Sequence, residues 1–591
     1  MKNPNRVKAG FLLPALLLTA ALSGCNKAKE VEPADTVVYS KIYTSNANRD
    51  YAEAFAIKDG KYIYVGSKDG CKQYIKEGKT KVIDKTGGFV MSGATEGHAH
   101  YITSSVMVSK GFSRSTTTIE DTISFLKETK QKNPNSALFL TNGWSNIHLK
   151  TAKETTDVRA LLDEVESEKP VVMVDNTGHN IFMNSKTIEL AGIESKTDEE
   201  WTAMGGHVSR GSDGRLLGLA SDIAMNYVWN KVVKTVPFLT SEDFVSALDQ
   251  CQENLLSQGY TSYVDGYASY FGDAAFKGIR DYDNSKGLKM AMEASYKIDS
   301  FDDVDESLKI IKNIKDTCTT THFKPDNVKL FADGECVESL SGWLLAPTHY
   351  KNGTLGTQVW KDDAMYDVVK KANAMGLNAH VHTSGDAACK QAVDAMVNAE
   401  PTAQSGVRNS IAHCFVISEE TRELLKEHSI TASIGVTWRL TLKEAVPLIE
   451  KDFTDMDWYY HAYPMKSLMD KGINITCSTD YPANSGGPTK VLDLLELAVS
   501  GKTSYESVTD YDEEQAFSSD EYLSLLEAID MLTINGAKQM GNQETRGSIE
   551  VGKYADFLML GKDLSSIAQN EIHSAGLQAV YFEGKPVYQA K

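Results

Sequence analysis

Two periodicities divide the chain. From Val37 to Val90, apolar and polar positions alternate in short runs: Val37–Thr44, Ala54–Ser67 and Lys81–Val90. A period of two puts every second side chain on one face, so these runs predict half-buried antiparallel strands. The Asp59-Gly60 step inside the second run predicts a tight hairpin turn. The same alternation returns at the far end, in Gly547–Met559 and Ala579–Tyr588. Neither end has enough apolar faces for its own core. The economical expectation is one small β-sandwich built from both, 36–91 and 540–591.

The centre, 92–539, has a longer rhythm. Buried-looking β-rich runs occur at Ser136–Trp144, Pro170–Asn176, Gly259–Gly266, Leu288–Ser295, Asn327–Gly334, Leu377–Asp386, Asn409–Cys414, Ile430–Val436 and Ile473–Asp480. Between them lie windows of helical periodicity, such as Asp362–Gly376 and Ser418–Ser429. Strand–helix alternation repeated about eight times predicts parallel strands, and closure makes a (β/α)8 TIM barrel. The expected class is therefore α/β, a barrel with a small β-sandwich beside it. An open doubly wound sheet is the runner-up, disfavoured because no glycine-rich phosphate loop follows an early strand. Residues 185–235 fit no strand–helix unit and are expected to be an insertion.

Composition narrows the function. The 591 residues are 41% hydrophobic and 24% charged, which excludes a disordered, collagenous or coiled-coil chain. A formal net charge of −19 repels phosphate backbones, so nucleic acid is not an expected partner. Residues 1–25 read as a targeting segment: Lys2, Arg6 and Lys8 precede an apolar stretch, Phe11 to Leu22, too short to span a bilayer comfortably. It ends in Leu22-Ser23-Gly24-Cys25, which resembles the lipobox of bacterial lipoproteins and implies cleavage before Cys25 and acylation of its sulfur. The expected location is the bacterial cell envelope, with contact to the membrane through this lipid alone and 26–35 as a tether. Of eight cysteines, seven remain beyond Cys25, without a CxxC pair, so a zinc ribbon is excluded.

The sharpest chemical signal is His98-Ala99-His100. On a strand, side chains at i and i+2 share a face, so two imidazoles at a strand end form half of a metal site. A second such pair, His380-Val381-His382, competes with it, since both cannot begin the same site. Lys329 stands among strand residues, where lysines are rare without a reason. Burial lowers an amine's pKa, and a neutral amine can take up CO2 to become a bridging ligand. His382, His413 and Asp480 each close a β-rich run.

The ordered set HxH, Lys, His, His, Asp resembles the metal-dependent amidohydrolase superfamily, and local sequences resemble its amidohydrolase-3 branch of YtcJ-like and N-substituted formamide deformylase-like proteins. The matching stretches are Ser92–His100, Gly178-His179-Asn180 with Asn184-Ser185, Lys329–Gly334, His382–Ala388, Ser478–Pro482 and the closing Gly547–Asp556. The resemblance implies that His98 and His100 hold one metal. Lys329, carboxylated, then bridges to a second metal that His382 and His413 bind, while Asp480 binds metal and handles the proton. It also implies a catalytic helper at His179, a pocket-lining Trp144, and His380 as a neighbour of the ligands or of substrate. Glu96 stands where the branch has aspartate.

The implied cofactor is one or two divalent ions, zinc foremost. The implied activity is hydrolysis of a non-peptide C–N bond, an amide or formamide, by metal-activated hydroxide acting on a small-molecule substrate. D-aminoacylase-like or cyclic amidase activity is an alternative on the same site, and a surface lipoprotein that binds ligand without turnover is another. A homodimer is one arrangement open to the chain.

Overall fold

A computed structural model describes residues 31–144, 156–175, 178, 180–337, 340–361, 363–399, 406–440, 446–483, 487, 489–503 and 517–590. Cys25 with its leader, and His179, lie outside them. No helix among the described residues is long and apolar enough to cross a membrane.

The chain opens with β1 (Thr36–Tyr43), β2 (Tyr51–Lys58) and β3 (Lys61–Gly66). Asp59 and Gly60 join the last two, both at positive φ (48° and 78°), as a two-residue hairpin turn of matching twist requires. β4 (Lys81–Ser92) then runs through Gly93 into β5 (Ala94–Ala99), the first barrel strand.

An insertion follows. β6 (Ser113–Thr116), β7 (Phe139–Trp144), β8 (Val171–Asp175), β9 (Asn180–Met183), β10 (Gly206–Arg210) and β11 (Leu216–Asp222) form a separate sheet in the order β10-β11-β9-β8-β7-β6. Two runs expected in the barrel, Ser136–Trp144 and Pro170–Asn176, supply β7 and β8 of this sheet instead. The insertion is accordingly larger than the expected 185–235, since its strands begin at Ser113. The reason is local: β6, β7 and β8 pair in parallel, and a buried parallel strand carries the same apolar run whichever sheet receives it.

The barrel resumes with β12 (Tyr260–Asp265), β13 (Ala291–Lys297), β14 (Phe323–Phe331), β15 (Asn378–Thr383), β16 (Ser410–His413), β17 (Thr431–Gly435) and β18 (Ile475–Ser478). With β5 they form an eight-stranded, all-parallel sheet in chain order. Its two edges meet beyond β5 and β18: Asp480 N donates to His98 O at 2.9 Å, and His100 N to Tyr481 O at 2.7 Å. The sheet is thereby a (β/α)8 barrel. Its helices show why they pack outside. Val304–Cys318 buries Leu308, Ile311, Ile314 and Cys318 along one stripe, and the Asp303 carboxylate caps its start by accepting from Glu306 N.

The far end adds β19 (Phe557–Leu560), β20 (Leu577–Phe582) and β21 (Lys585–Gln589). Both chain ends share one seven-stranded sheet, β21-β20-β19-β4-β1-β2-β3. Phe55 on β2 and Phe557 on β19 stand three strands apart, about 14 Å in a flat sheet. Their rings nevertheless meet edge to face at 5.0 Å. The sheet therefore curls over its own apolar layer, which holds Val38, Ile42, Val90, Met559 and Tyr581 as well.

Candidate metal centre

The barrel's C-terminal mouth is where parallel strands deliver their last side chains to one place. β5 presents His98 and, just past its end, His100. The segment after β18 presents Asp480. Ligand atoms of these three residues all lie within 4.8 Å of one another. His100 Nε2 is 3.0 Å and His98 Nε2 3.3 Å from the same oxygen, Asp480 Oδ1. That oxygen is buried and accepts no well-aligned hydrogen bond. Two imidazole nitrogens facing one carboxylate oxygen without a hydrogen bond is the geometry expected of groups whose lone pairs converge on a cation. The donor set of two imidazoles and a carboxylate suits zinc, so the residues present fit the implied metal.

The other sequence-predicted residues lie around this core. Lys329 on β14 is fully buried, its Nζ 3.5 Å from His98 Nε2. No carboxylate pairs with it among the described residues. Burial pulls its amine down to about 7, with Asp480 opposing and Lys297 assisting. The His413 ring lies 4.9 Å from that of His98 and 4.3 Å from that of His382, and its buried Nδ1 has no hydrogen-bond partner. His382 stands further out: its Nε2 is 3.0 Å from Gly334 O, and its ring stacks on Phe331. The expected second ligand pair is thus adjacent to the His98–His100–Asp480 group without being part of it.

Burial also sets the charges. It pushes His98, His380 and His413 well below the usual imidazole range, helped by nearby Lys329 or His382. Neutral imidazoles are the form that ligates metal. Burial pushes the Asp480 carboxyl up, but contact with His100 and the charges of His413 and Lys329 outweigh it and hold Asp480 below the ordinary value.

Second-layer contacts orient the ligands, as metal sites require. His380 is the neighbour the HxH pattern left ambiguous. Its Nε2 is 2.5 Å from His98 Nδ1 and its Nδ1 is 2.7 Å from Ser410 Oγ, so it fixes the His98 ring from behind. Glu96 Oε1 accepts from both His98 N (3.1 Å) and Thr479 N (3.0 Å), tying together the two strand ends that carry His98 and Asp480. Burial raises its carboxyl to about 8. His413 (φ 75°), Cys414 (55°) and Asp480 (52°) adopt the left-handed region. Such residues cost about 1–3 kcal/mol each and collect at functional sites. At His413 the twist breaks the strand's alternation.

Trp144, expected to line the pocket, stands in the insertion's sheet. It ends β7 inside the insertion's apolar core, stacked on Phe182 at 3.9 Å with its indole N–H on Met173 O. A tryptophan at a strand end signals burial as readily as a pocket. In the aromatic segment Asp455–His461, Trp458 stacks on His349 at 4.2 Å and Tyr459 is buried against Phe453 and Phe517, while Asp455, Asp457 and His461 are exposed.

Sequence reasoning missed Gly266 and Asp333. A Cβ on Gly266 would lie 2.2 Å from His98 Cε1. Asp333 accepts backbone N–H groups of Trp343, Ser384 and Gly385, pinning the segment after β14 against the end of β15. Asp265-Gly266 and Asp333-Gly334 both follow strand runs, which was the available signal.

Comparison with known proteins agrees with this geometry. Residues 81–588 match the model of the amidohydrolase family, and the chain belongs to that family. Fold, family and ligand set together define its class as metal-dependent hydrolase. The chain is 23% identical to the Bacillus subtilis protein YtcJ over 548 residues, covering 93% of this chain and 98% of that one. It is 21% identical to the N-substituted formamide deformylase of Arthrobacter pascens over 578 residues, covering 94% and 98%. An uncharacterized metal-dependent hydrolase from Pyrococcus horikoshii superimposes with a TM-score of 0.66 at 20% identity, covering 91% of this chain and 99% of that structure.

Proposed function

We propose that this chain hydrolyses a carbon–nitrogen bond other than a peptide bond, in a small amide or formamide. The observation that carries the reading is the convergence of His98, His100 and Asp480 within 4.8 Å at the barrel mouth. A bound divalent ion would supply Lewis acidity and lower the pKa of water to about 7. His98, His100 and Asp480 would hold it, and Lys329, His382 and His413 would hold a second. Lys329 has a buried amine that would add to CO2: the nitrogen lone pair would attack the carbon and the nitrogen lose a proton, giving a carbamate whose oxygens would be available to metal.

Asp480 does the proton work in this scheme. Its lowered pKa keeps it deprotonated at neutral pH, so the carboxylate can take up the water's proton and return it to the departing nitrogen. His179 is proposed as a helper toward the substrate carbonyl. Export and anchoring through acylated Cys25 belong to the same proposal, and a Cys25→Ala chain should lose lipid labelling and partition from the membrane fraction.

Metal analysis joined to a screen of N-formyl and N-acyl amines tests the reading. Purified protein should carry tightly bound metal and release amine, and Asp480→Asn or His98→Ala should abolish turnover with the circular dichroism unchanged. Turnover retained in either variant, or none on any amide after zinc loading, overturns it.

A further inference from the structure

Four lysines crowd the start of β4. Lys76, Lys79, Lys81 and Lys85 are all exposed, and none stands in an ion pair among the described residues. Their neighbours Lys68 and Lys72, by contrast, are held by Asp84 and Asp69. Asp84 is engaged by Lys68 and by Thr86, which leaves Glu77 alone against the four ammonium groups. On a chain of formal net charge −19 this is a local reversal of sign. Charges of one sign gathered on a surface attract a partner of the other sign over a Debye length, about 8 Å in physiological salt.

The chain enters the fold at the same spot. Ala34 N donates to Tyr74 O and Lys81 N to Asp35 O, both at 2.9 Å, and the Thr80 hydroxyl donates to Ala34 O at 2.8 Å. The chain that leads back to Cys25 therefore departs from among the lysines. Cys25 stands ten residues before Asp35, a reach of at most about 36 Å. β4 is also incomplete here as a sheet strand: β1 pairs with it from Lys81 onward, but β19 joins its other edge only at Phe89. The gap is a groove of about 510 Å³ lined by Lys81, Ile83, Lys85, Met559, Tyr581 and Gln589. Its floor is apolar and its rim cationic, and Val82 beside it is 45% exposed. From this tip β4 runs into β5, whose far end carries His98 and His100, so the lysines and the metal centre stand at opposite ends of the β4–β5 path.

We infer that the surface from Lys76 to Lys85 is an interaction site for anionic phospholipid in a bilayer, with phosphates on the four ammonium groups and a lipid's glycerol end in the groove over Met559 and Tyr581. Phosphate of any source would meet the same charges, but only a lipid also uses the apolar floor and Val82. The short stretch between Asp35 and the cysteine proposed to be acylated would deliver this face to a membrane. Contact here would hold the end sheet down on the bilayer and turn the barrel mouth outward, toward dissolved substrate. The inference goes beyond the hydrolase reading and does not depend on it.

Vesicle sedimentation tests this on the chain from Asn26 to Lys591, which contains every described residue and lacks Cys25, so that binding reports the surface alone. Vesicles of phosphatidylglycerol and phosphatidylcholine in equal parts should carry the protein down at about 0.1 M salt and release it at about 0.5 M. Pure phosphatidylcholine should not bind it. Each lysine near an anionic surface strengthens binding about fivefold, so Lys76→Gln, Lys79→Gln, Lys81→Gln and Lys85→Gln together should weaken it at least about thirtyfold. The same charge change at scattered exposed lysines, Lys127→Gln, Lys132→Gln, Lys277→Gln and Lys426→Gln, should leave it within about threefold. Circular dichroism, metal content and turnover should be unchanged in both variants, so failure here leaves the hydrolase reading standing. No binding to the mixed vesicles, equal binding to phosphatidylcholine, retention at high salt, or equal losses in the two variants overturns the inference. Duplex DNA bound as tightly as the mixed vesicles would make this a general polyanion surface and overturns it as well.

Discussion

His98 owes its position to a missing side chain on the next strand. Its ring fills the space where a Cβ on Gly266 would stand, while His380 holds its Nδ1 and Glu96 its backbone N–H. Gly266→Ala should therefore displace the imidazole without unfolding the barrel. The expected outcome is a loss of metal affinity of tenfold or more, on the scale that misplacing a ligand's supporting contacts costs, with thermal stability nearly unchanged; equilibrium dialysis against zinc measures it. At this scale the sequence was partly legible. His98, His100 and Asp480 announce themselves because chelating residue types at strand ends are few.

Among the elements, β4 matters most, because it joins two structures. It pairs with β1 and β19 in the end sheet and continues within one residue into the first barrel strand. The end sheet thus buttresses the segment that carries His98 and His100. Its curled apolar layer centres on Phe557, which packs edge-on against Phe55 and stacks on Tyr581 at 4.3 Å. Phe557→Ala should cost about 3–5 kcal/mol, read as a lowered urea midpoint. Alternation at both chain ends was enough to predict their union, since neither could bury its own face. The insertion was harder to read. β7 and β8 have the composition of barrel strands, and nothing local records that their partners are β6 and β9.

For the whole molecule, the end sheet docks against the lower end of the barrel through a charged contact. His322, just before β14, sits 3.0 Å from Asp283 of the helix Ala274–Ser285 and 3.3 Å from Glu583 beyond β20. The hydrogen bond to Asp283 and the close contact with Glu583 raise the imidazole to about 9, against the pull of partial burial. A raised folded-state pKa means the stabilisation is complete below the unfolded value, about 6.5, and is lost as pH climbs through about 9. The difference in urea midpoint between wild type and His322→Gln should be largest just below about pH 6.5 and vanish in alkaline buffer above about pH 9. A difference constant across that range would show that the contact acts through packing.

The sequence by itself determined the alternation of strands and helices, the joining of the two chain ends in one small β unit, and the kinds of side chain available for chelation. These follow from periodicity and residue chemistry, which are local and additive along the chain. Only the tertiary structure decided which strands close the barrel, that His380 backs His98, and that Trp144 is core. Each of those depends on which residues far apart in sequence become neighbours. Strand partnering and close approach at a glycine are set by packing the whole chain at once, and no window of sequence contains them.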